Sequence, residues 1–522
     1  MKKPAKHTQK VQFLLCLIIL VGILLFWHQI TKVFTETVDQ QEKTVVSDGQ
    51  SYRAKYHFTT PDKWKNDPQK PIYLDGFYHY YYLYNGDYPD GNGTEWRHAV
   101  SKDLVHWKDK GIAIPKYTNQ NGDPWSGSVV VDKENTAGFG YGALIAIVTQ
   151  PSANQQKQEQ FLWYSLDNGS TFTSYSDTPV MTNPGTDDFR DPKIIWSKEY
   201  HKWIMLMAEG TKIGFYESSN LKDWTYLSDF FTNDIGIVEC PDLYYMQTND
   251  GSFKWVLGTS ANGKTKNQPT TYAYWIGQFD GNHYTADHPE PQWLDYGLDW
   301  YAGVTFEDGS NSDDYKKRYA FAWMNNWNYA DNTPTLQEGF NGMDSVVRQI
   351  QLKNNGENSY YLASQPIEAY NKLAKTKDHL KEIEVNGQKQ LEMTGEIYQL
   401  ETDISWTELD NVGLRLRESS DQKRYVNVGI FIKEKYSYVN RSLTEHPDQQ
   451  NTHSESTAPF PAEQTQVHLK ILVDKSSIEV FVDDGKIVQS NLIFPHADDQ
   501  AITLYSDGGT AIFKNMTISH FD

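Results

Sequence analysis

The chain is constrained first by a repeat. Five short motifs open strand-like runs at a spacing of roughly fifty to sixty residues. They are Asn66-Asp67-Pro68, Trp125-Ser126-Gly127-Ser128, Arg190-Asp191-Pro192, Glu239-Cys240-Pro241-Asp242 and Trp300-Tyr301-Ala302-Gly303. Each is followed by a pair of alternating or aromatic runs: Ile72–Leu83, Val129–Thr149, Lys193–Ala208, Leu243–Thr259 and Val304–Trp323. Gly, Asn, Asp and Pro punctuate these runs, as strand boundaries require. From Tyr56 to about Gln365 nothing carries the period of a long amphipathic helix. A turn of the Ser-x-Asp-Leu type recurs late in the units, at Ser101-Lys102-Asp103-Leu104, at Ser219-Asn220-Leu221 and, more weakly, at Ser165-Leu166-Asp167-Asn168. Units of this length hold about four strands, which predicts blades around an axis. The expected fold is all-β: a five-bladed β-propeller over 53–368, then a C-terminal β-sandwich over 372–522. In the latter, clean alternation in His468–Val473, Ser477–Val482 and Ala501–Ser506 meets hairpin turns at Asp483-Asp484-Gly485 and Asp507-Gly508-Gly509.

That geometry turns scattered motifs into a site. In a propeller the first strand of every blade lines the axis, so opening residues from different blades meet at one end of the channel. Three of them are acids: Asp67, Asp191 and Glu239. Two carboxylates at short separation are what a retaining glycosidase needs, one to attack the anomeric carbon and one to protonate the leaving oxygen and later activate water. The roles demand opposite environments. Asp67 sits between an amide and a proline that disfavours helical backbone before it, and Asn66 can hydrogen-bond its ionised form; it is the expected nucleophile. Glu239, beside Cys240 and Pro241 and facing the other acids, is the expected acid/base. Arg190 and Asp191 read as a pair that grips sugar hydroxyls. Acid-proline dipeptides are ordinary turn formers singly, but two of them and the Glu239-Cys240-Pro241 motif, all in phase with the blade repeat, argue for a site. Trp64, Trp125 and Trp300 are candidates for stacking on sugar rings. His57, His79, His98 and His106 are scattered without ligand spacing, so neither a metal nor another cofactor is expected.

Charge and the N-terminus set the surroundings. A net charge of −20 excludes nucleic acid and anionic membrane surfaces as natural partners and suits a neutral polysaccharide. Lys2, Lys3, Lys6 and Lys10 precede an apolar run from Val11 to Trp27. Residues 1–31 are therefore expected to be a signal-anchor or signal peptide that places the rest outside the cell, with 32–52 as a polar linker. The two readings differ in whether the segment is cleaved. Membrane contact is expected only through this segment, and the chain is expected to be a monomer. Cys16 and Cys240 are the only cysteines, and a cysteine inside an apolar span has no reason to pair with one in a propeller.

The same motifs resemble the signature blocks of glycoside hydrolase family 32, the invertase, levanase and inulinase family. Trp64–Pro68, Trp125–Ser128, Arg190–Pro192 and Glu239–Pro241 carry the resemblance, with Trp96–Trp107, Asp299–Ala302, Ala322–Trp327 and Val473–Phe481 in support. It implies a five-bladed propeller plus β-sandwich and metal-free, retaining hydrolysis of β-fructofuranosides. It also implies Asp67 as nucleophile, Asp191 as transition-state stabiliser and Glu239 as acid/base, with Asn66, Ser126 and Arg190 lining the fructosyl pocket. The chain departs from the family pattern at Gln69-Lys70, where Asn-Gly is usual, and at Leu83, where a glutamine is usual. The Asn-Asp-Pro-Gln form looks closest to bacterial levanases that act on β-2,6-fructan and release levanbiose. Exo-fructosidase action, fructosyl transfer and mere glycan binding stay open at this point.

Overall fold

The structure, a computed structural model, describes residues 51–521 apart from short stretches at 91–92, 154–155, 233, 264–265, 267–269, 312–313, 357–358, 447–452 and 462. The expected N-terminal segment and nearly all of the linker lie outside the described residues.

Five antiparallel sheets follow one another in the chain. Their first strands are Lys63–Pro68, Gly127–Asp132, Arg190–Ser197, Val238–Gln247 and Tyr301–Phe306, and blades 1 to 5 are named from these. Within blades 2 and 3 the strands pair strictly in sequence order, and in blade 4 only the short strand Gln292–Trp293 departs, pairing back with Thr271–Phe279; this is the outcome expected when short turns join antiparallel neighbours. The second strands are buried almost end to end, as in Ala143–Pro151 and Lys202–Glu209, because a neighbouring blade covers each face. Blade 1 shows the two-sided packing residue by residue. Tyr78, Tyr80, Tyr82 and Tyr84 join the cluster that holds Val304, Phe306 and Phe321 of blade 5. Tyr81 and Leu83, alternating with them, join Val129, Ala146 and Val148 of blade 2.

The recurring serine turns are built alike. Ser101, Ser165 and Ser218 each bond the polar side chain two residues on, Asp103, Asp167 or Asn220. A residue with positive φ follows: Leu104 (65°), Asn168 (57°) or Leu221 (62°). In blade 3 the turn begins at Ser218, one residue before the serine that the sequence pattern suggested. The ring is closed by Phe340–Asn341, which runs parallel to Lys63 and Trp64 of blade 1.

Beyond Pro366 the chain forms the sandwich. Its last strand, Ala501–His520, pairs along its length with Thr376–His379, Ile383–Thr394, Tyr398–Trp406 and Asn411–Glu418. The two layers are thus joined by continuous hydrogen bonding over eleven strands, around an aliphatic core that includes Leu400, Leu414, Ile471 and Val480.

Candidate active site

Four of the five first strands are interrupted at the same place. In blade 1 the pairing jumps between Lys65 and Pro68, in blade 3 between Arg190 and Lys193, in blade 4 between Glu239 and Asp242, and in blade 5 between Tyr301 and Val304. Each jump sets two residues against one, a β-bulge, which bends the strand and re-aims a side chain. Asp191, Cys240 and Ala302 occupy the bulges at φ of 58°, 49° and 51°. Left-handed backbone at non-glycine residues costs about 1–2 kcal/mol each, and such strain clusters at functional sites. The bulges bring Asp67, Asp191 and Glu239 to one mouth of the propeller.

The contacts knit these acids together. Ser126 Oγ donates to Asp67 Oδ2 (2.6 Å) and Asn66 Nδ2 donates to Asp67 Oδ1 (3.1 Å). The backbone N–H of Cys240 donates to Asp191 Oδ2 (3.0 Å), and Cys240 Sγ lies 3.7 Å from that oxygen and 3.9 Å from Asp67 Oδ2. One sulfur therefore touches both carboxylates. Arg190 Nε donates to Glu239 Oε1 (3.0 Å), and its guanidinium also pairs with Asp188. Tyr301 donates its phenol proton to Glu239 Oε2 in a short hydrogen bond.

Electrostatics follow from crowding three acids in a pocket. Burial raises Asp67 above the usual carboxylate range, and the Glu239 charge adds to this. Hydrogen bonds from Ser126 and Asn66 and the charge of Lys65 oppose the rise. Burial and Glu239 push Asp191 up to about 7 against the pull of Arg190 and the Cys240 N–H. Burial and the neighbouring acids thus oppose full ionisation of Asp67 and Asp191 in the free pocket.

The structure brings Asp67, Asp191, Glu239, Asn66, Ser126 and Arg190 together. Trp125 sits half-buried just before the first strand of blade 2. Trp64 is buried; its Nε1 donates to Asn66 Oδ1 (3.1 Å), and its ring stacks on Tyr88 and Trp327 with centroids 4.8 and 6.3 Å apart. The expectation for Trp300 is corrected. Its indole is fully buried beside Tyr272, with Nε1 bonded to Ser345 Oγ, and it has no face to offer a sugar. The bulge puts its neighbour Tyr301 at the mouth instead.

Three further residues are not evident from the sequence. Tyr301 bonds Glu239. Trp327, 49 % exposed, presents the open aromatic surface beside Trp64. Gln69 supplies an amide where Leu83 offers only a hydrocarbon side chain. Its Nε2 reaches the Asp67 carbonyl (3.2 Å) and Ser126 Oγ (3.4 Å), and its Oε1 accepts from the Gly127 N–H (2.8 Å). Leu83 itself is in the core between blades 1 and 2. The signal for Gln69 was its departure from the family pattern, since a glutamine beside a pocket serine can bond it.

Comparison with known proteins agrees with this geometry. Residues 57–366 match the glycosyl hydrolases family 32 N-terminal domain, and residues 368–520 match the family 32 C-terminal domain. The chain is 63 % identical over 502 residues, 96 % of each chain, to a levanbiose-producing levanase of Bacillus subtilis (strain 168). It is 64 % identical to a levanbiose-producing levanase of Geobacillus stearothermophilus, over 76 % of this chain and all of that one. Among solved structures, exo-inulinase from Aspergillus awamori superposes with a TM-score of 0.82 at 29 % identity, covering 91 % of this chain and 99 % of that one. The fold, the acid-bearing bulges and the matches over both domains agree: this chain is a glycoside hydrolase and belongs to glycosyl hydrolases family 32.

Proposed function

We propose that the protein hydrolyses β-2,6-linked fructan (levan) by double displacement and releases levanbiose or other short levan oligosaccharides. The observation that carries the substrate is the 63 % identity, end to end, with a levanbiose-producing levanase. The reaction class is carried by the acids at the propeller mouth.

In this reading Asp67 is the nucleophile, its carboxylate held by Ser126 on one oxygen and by Asn66 on the other so that it faces the anomeric carbon in a fixed orientation. Glu239, oriented by Tyr301 and Arg190, gives its proton to the glycosidic oxygen as the bond to the anomeric carbon breaks. The fructosyl unit passes through an oxocarbenium-like state, whose positive charge the Asp191 carboxylate stabilises. It is then caught as an ester on Asp67. Glu239, now ionised, takes a proton from water as that water attacks the anomeric carbon, and Asp67 leaves as carboxylate. Trp125 and Trp327 border the pocket as aromatic surfaces for the chain beyond the cleaved unit. The N-terminal segment would keep the enzyme at, or release it from, the outer face of the membrane, where a polymer too large to enter the cell is met. Separating cell membranes from culture medium decides between these two.

Two variants and one product assay test the proposal. Glu239→Gln lowers turnover on levan by about a thousandfold or more and leaves the fold intact. Asp67→Asn forms no trapped fructosyl-enzyme. Full levan hydrolysis by either variant would overturn its assignment. Chromatography of products from levan, inulin and sucrose should show dimers from levan; free fructose alone would make the enzyme a simple exo-fructosidase.

A further inference from the structure

Gln69 follows directly on the first strand of blade 1, two residues past Asp67, and its side chain crosses to blade 2. It is 1 % exposed, which is uncommon for an amide unless its hydrogen bonds are made. Here they are. Oε1 accepts from the Gly127 N–H (2.8 Å), and Nε2 donates to the Asp67 carbonyl (3.2 Å) and to Ser126 Oγ (3.4 Å). The partners fix which way the amide points, because a backbone N–H can only donate and a carbonyl oxygen can only accept. With the NH2 group turned toward Ser126, the hydroxyl there accepts, and its single proton is left for Asp67 Oδ2 (2.6 Å).

We propose that Gln69 is a positioning residue for the nucleophile: by donating to Ser126 Oγ it directs the serine proton onto Asp67, and so holds that carboxylate in the orientation from which it attacks.

The backbone on either side is fixed without this contact. The Ser126 carbonyl accepts from the Thr149 N–H (3.2 Å), and Gly127 pairs with Val148 across blade 2. Gln69 donates its own N–H to the Tyr81 carbonyl (2.8 Å) within blade 1. What remains free is the serine side chain, whose hydroxyl can turn about two single bonds. Gln69 restrains it from the blade 1 side, where Leu83 has no polar atom to offer. No other strong donor stands in for the serine at that oxygen, since Cys240 Sγ is 3.9 Å away and a thiol donates weakly. An apolar residue at 69 would therefore have two separate consequences. The unpaired Gly127 N–H and Asp67 carbonyl cost stability, while the released Ser126 hydroxyl costs catalysis.

The inference rests on Asp67 as the nucleophile, and a double-mutant cycle on levan keeps the two apart. Gln69→Met lowers kcat/KM by about tenfold, mostly through kcat because the buried amide does not meet substrate. In the Ser126→Ala background, where there is no hydroxyl to direct, the same change costs less than about threefold. A glutamine that served the fold alone would cost the same factor in both backgrounds. Losses that multiply in the double variant would overturn the proposal, as would full activity in Gln69→Met. Urea midpoints establish that each variant is folded under the assay conditions. Gln69→Asn, whose amide falls one methylene short of Ser126, goes through the same cycle with the same expectation and decides the matter should the methionine variant fail to fold. If Asp67→Asn retained activity, the nucleophile assignment itself would fall, whatever the cycle showed. An inactive Asp67→Asn together with multiplying losses would remove the role of Gln69 alone.

Discussion

Glu239 receives a phenol proton from Tyr301 on one oxygen and the Arg190 guanidinium on the other. Its carboxyl is thereby held in one orientation before substrate arrives, which is what a proton donor to a glycosidic oxygen requires. A hydrogen bond to a charged group contributes about 1.5–3 kcal/mol. Tyr301→Phe is therefore expected to lower kcat on levan by roughly 10- to 100-fold, with KM little changed. Trp300, one residue earlier, answers a different measurement. Trp300→Leu opens space in a packed core and lowers stability by roughly 2–4 kcal/mol, seen as an earlier urea midpoint, while kcat per folded molecule is retained. The three acids were legible in the sequence because acids beside proline or in phase with the repeat are visible as letters. Trp300 was named as a sugar-stacking candidate for its residue type alone, and nothing in the letters shows that its indole is core while Tyr301 beside it reaches Glu239. Lys65 was illegible for another reason: a lysine is rarely fully buried, yet here its ammonium lies among the rings of Phe58, Tyr80 and Tyr82 and pairs with Asp344, 279 residues away.

The bulge is the element on which the mouth depends. Without it, residues on the first strand of each blade would alternate regularly between the two blade faces, and Asp67, Asp191 and Tyr301 would not reach a common point. Ala302 shows what the bulge demands. It has φ of 51° and no exposed surface, and it packs with Trp64, Tyr301 and Trp323. A β-branched side chain there meets both penalties, a forbidden backbone region and a filled site. Ala302→Val should cost roughly 2–4 kcal/mol in stability and lower activity by displacing Tyr301. Ala302→Gly, which tolerates positive φ, should keep activity near that of the parent. Chemical denaturation paired with levan assays reads both effects, and equal behaviour of the two variants would show that the backbone conformation at 302 is not what matters. Blade number and strand order were legible from spacing and turn residues. The ring-closing strand Phe340–Asn341 was not, since two residues carry no period.

At the scale of the whole molecule, propeller and sandwich are joined by buried charge. His57, ahead of blade 1, bonds Asp474 through Nδ1 (2.8 Å) and Glu479 through Nε2 (2.9 Å), both on the sandwich. Arg348 of blade 5 pairs with Glu479 (2.7 Å) and with Asp295 (2.8 Å). Arg441 of the sandwich pairs with Asp299 (2.6 Å), just before blade 5. None of this seam could be read from the sequence, where His57 and Asp474 stand 417 residues apart. Burial disfavours the charged imidazole, but the hydrogen bonds and charges of Asp474 and Glu479 outweigh it and raise His57 to about 9. The folded state thus binds its proton more tightly than the unfolded chain, whose histidine titrates near 6.5. The stabilisation is fully present below about pH 6.5 and is lost as pH rises through about 9, with a total of roughly 3 kcal/mol. Glu479 has the opposite sign. Burial works against its charge, but Arg348 and His57 bring it down to about 2, so its contribution holds above about pH 4.5 and is lost as pH falls through about 2. Melting temperatures measured from pH 6 to 10 should therefore decline for the parent protein between pH 6.5 and 9. In His57→Gln the neutral side chain has no proton to lose. Its melting temperature should start lower at pH 6 and change less over that range, so that the two curves converge above about pH 9. Parallel curves across the whole range would mean that His57 serves the seam by shape alone, with no part played by its charge.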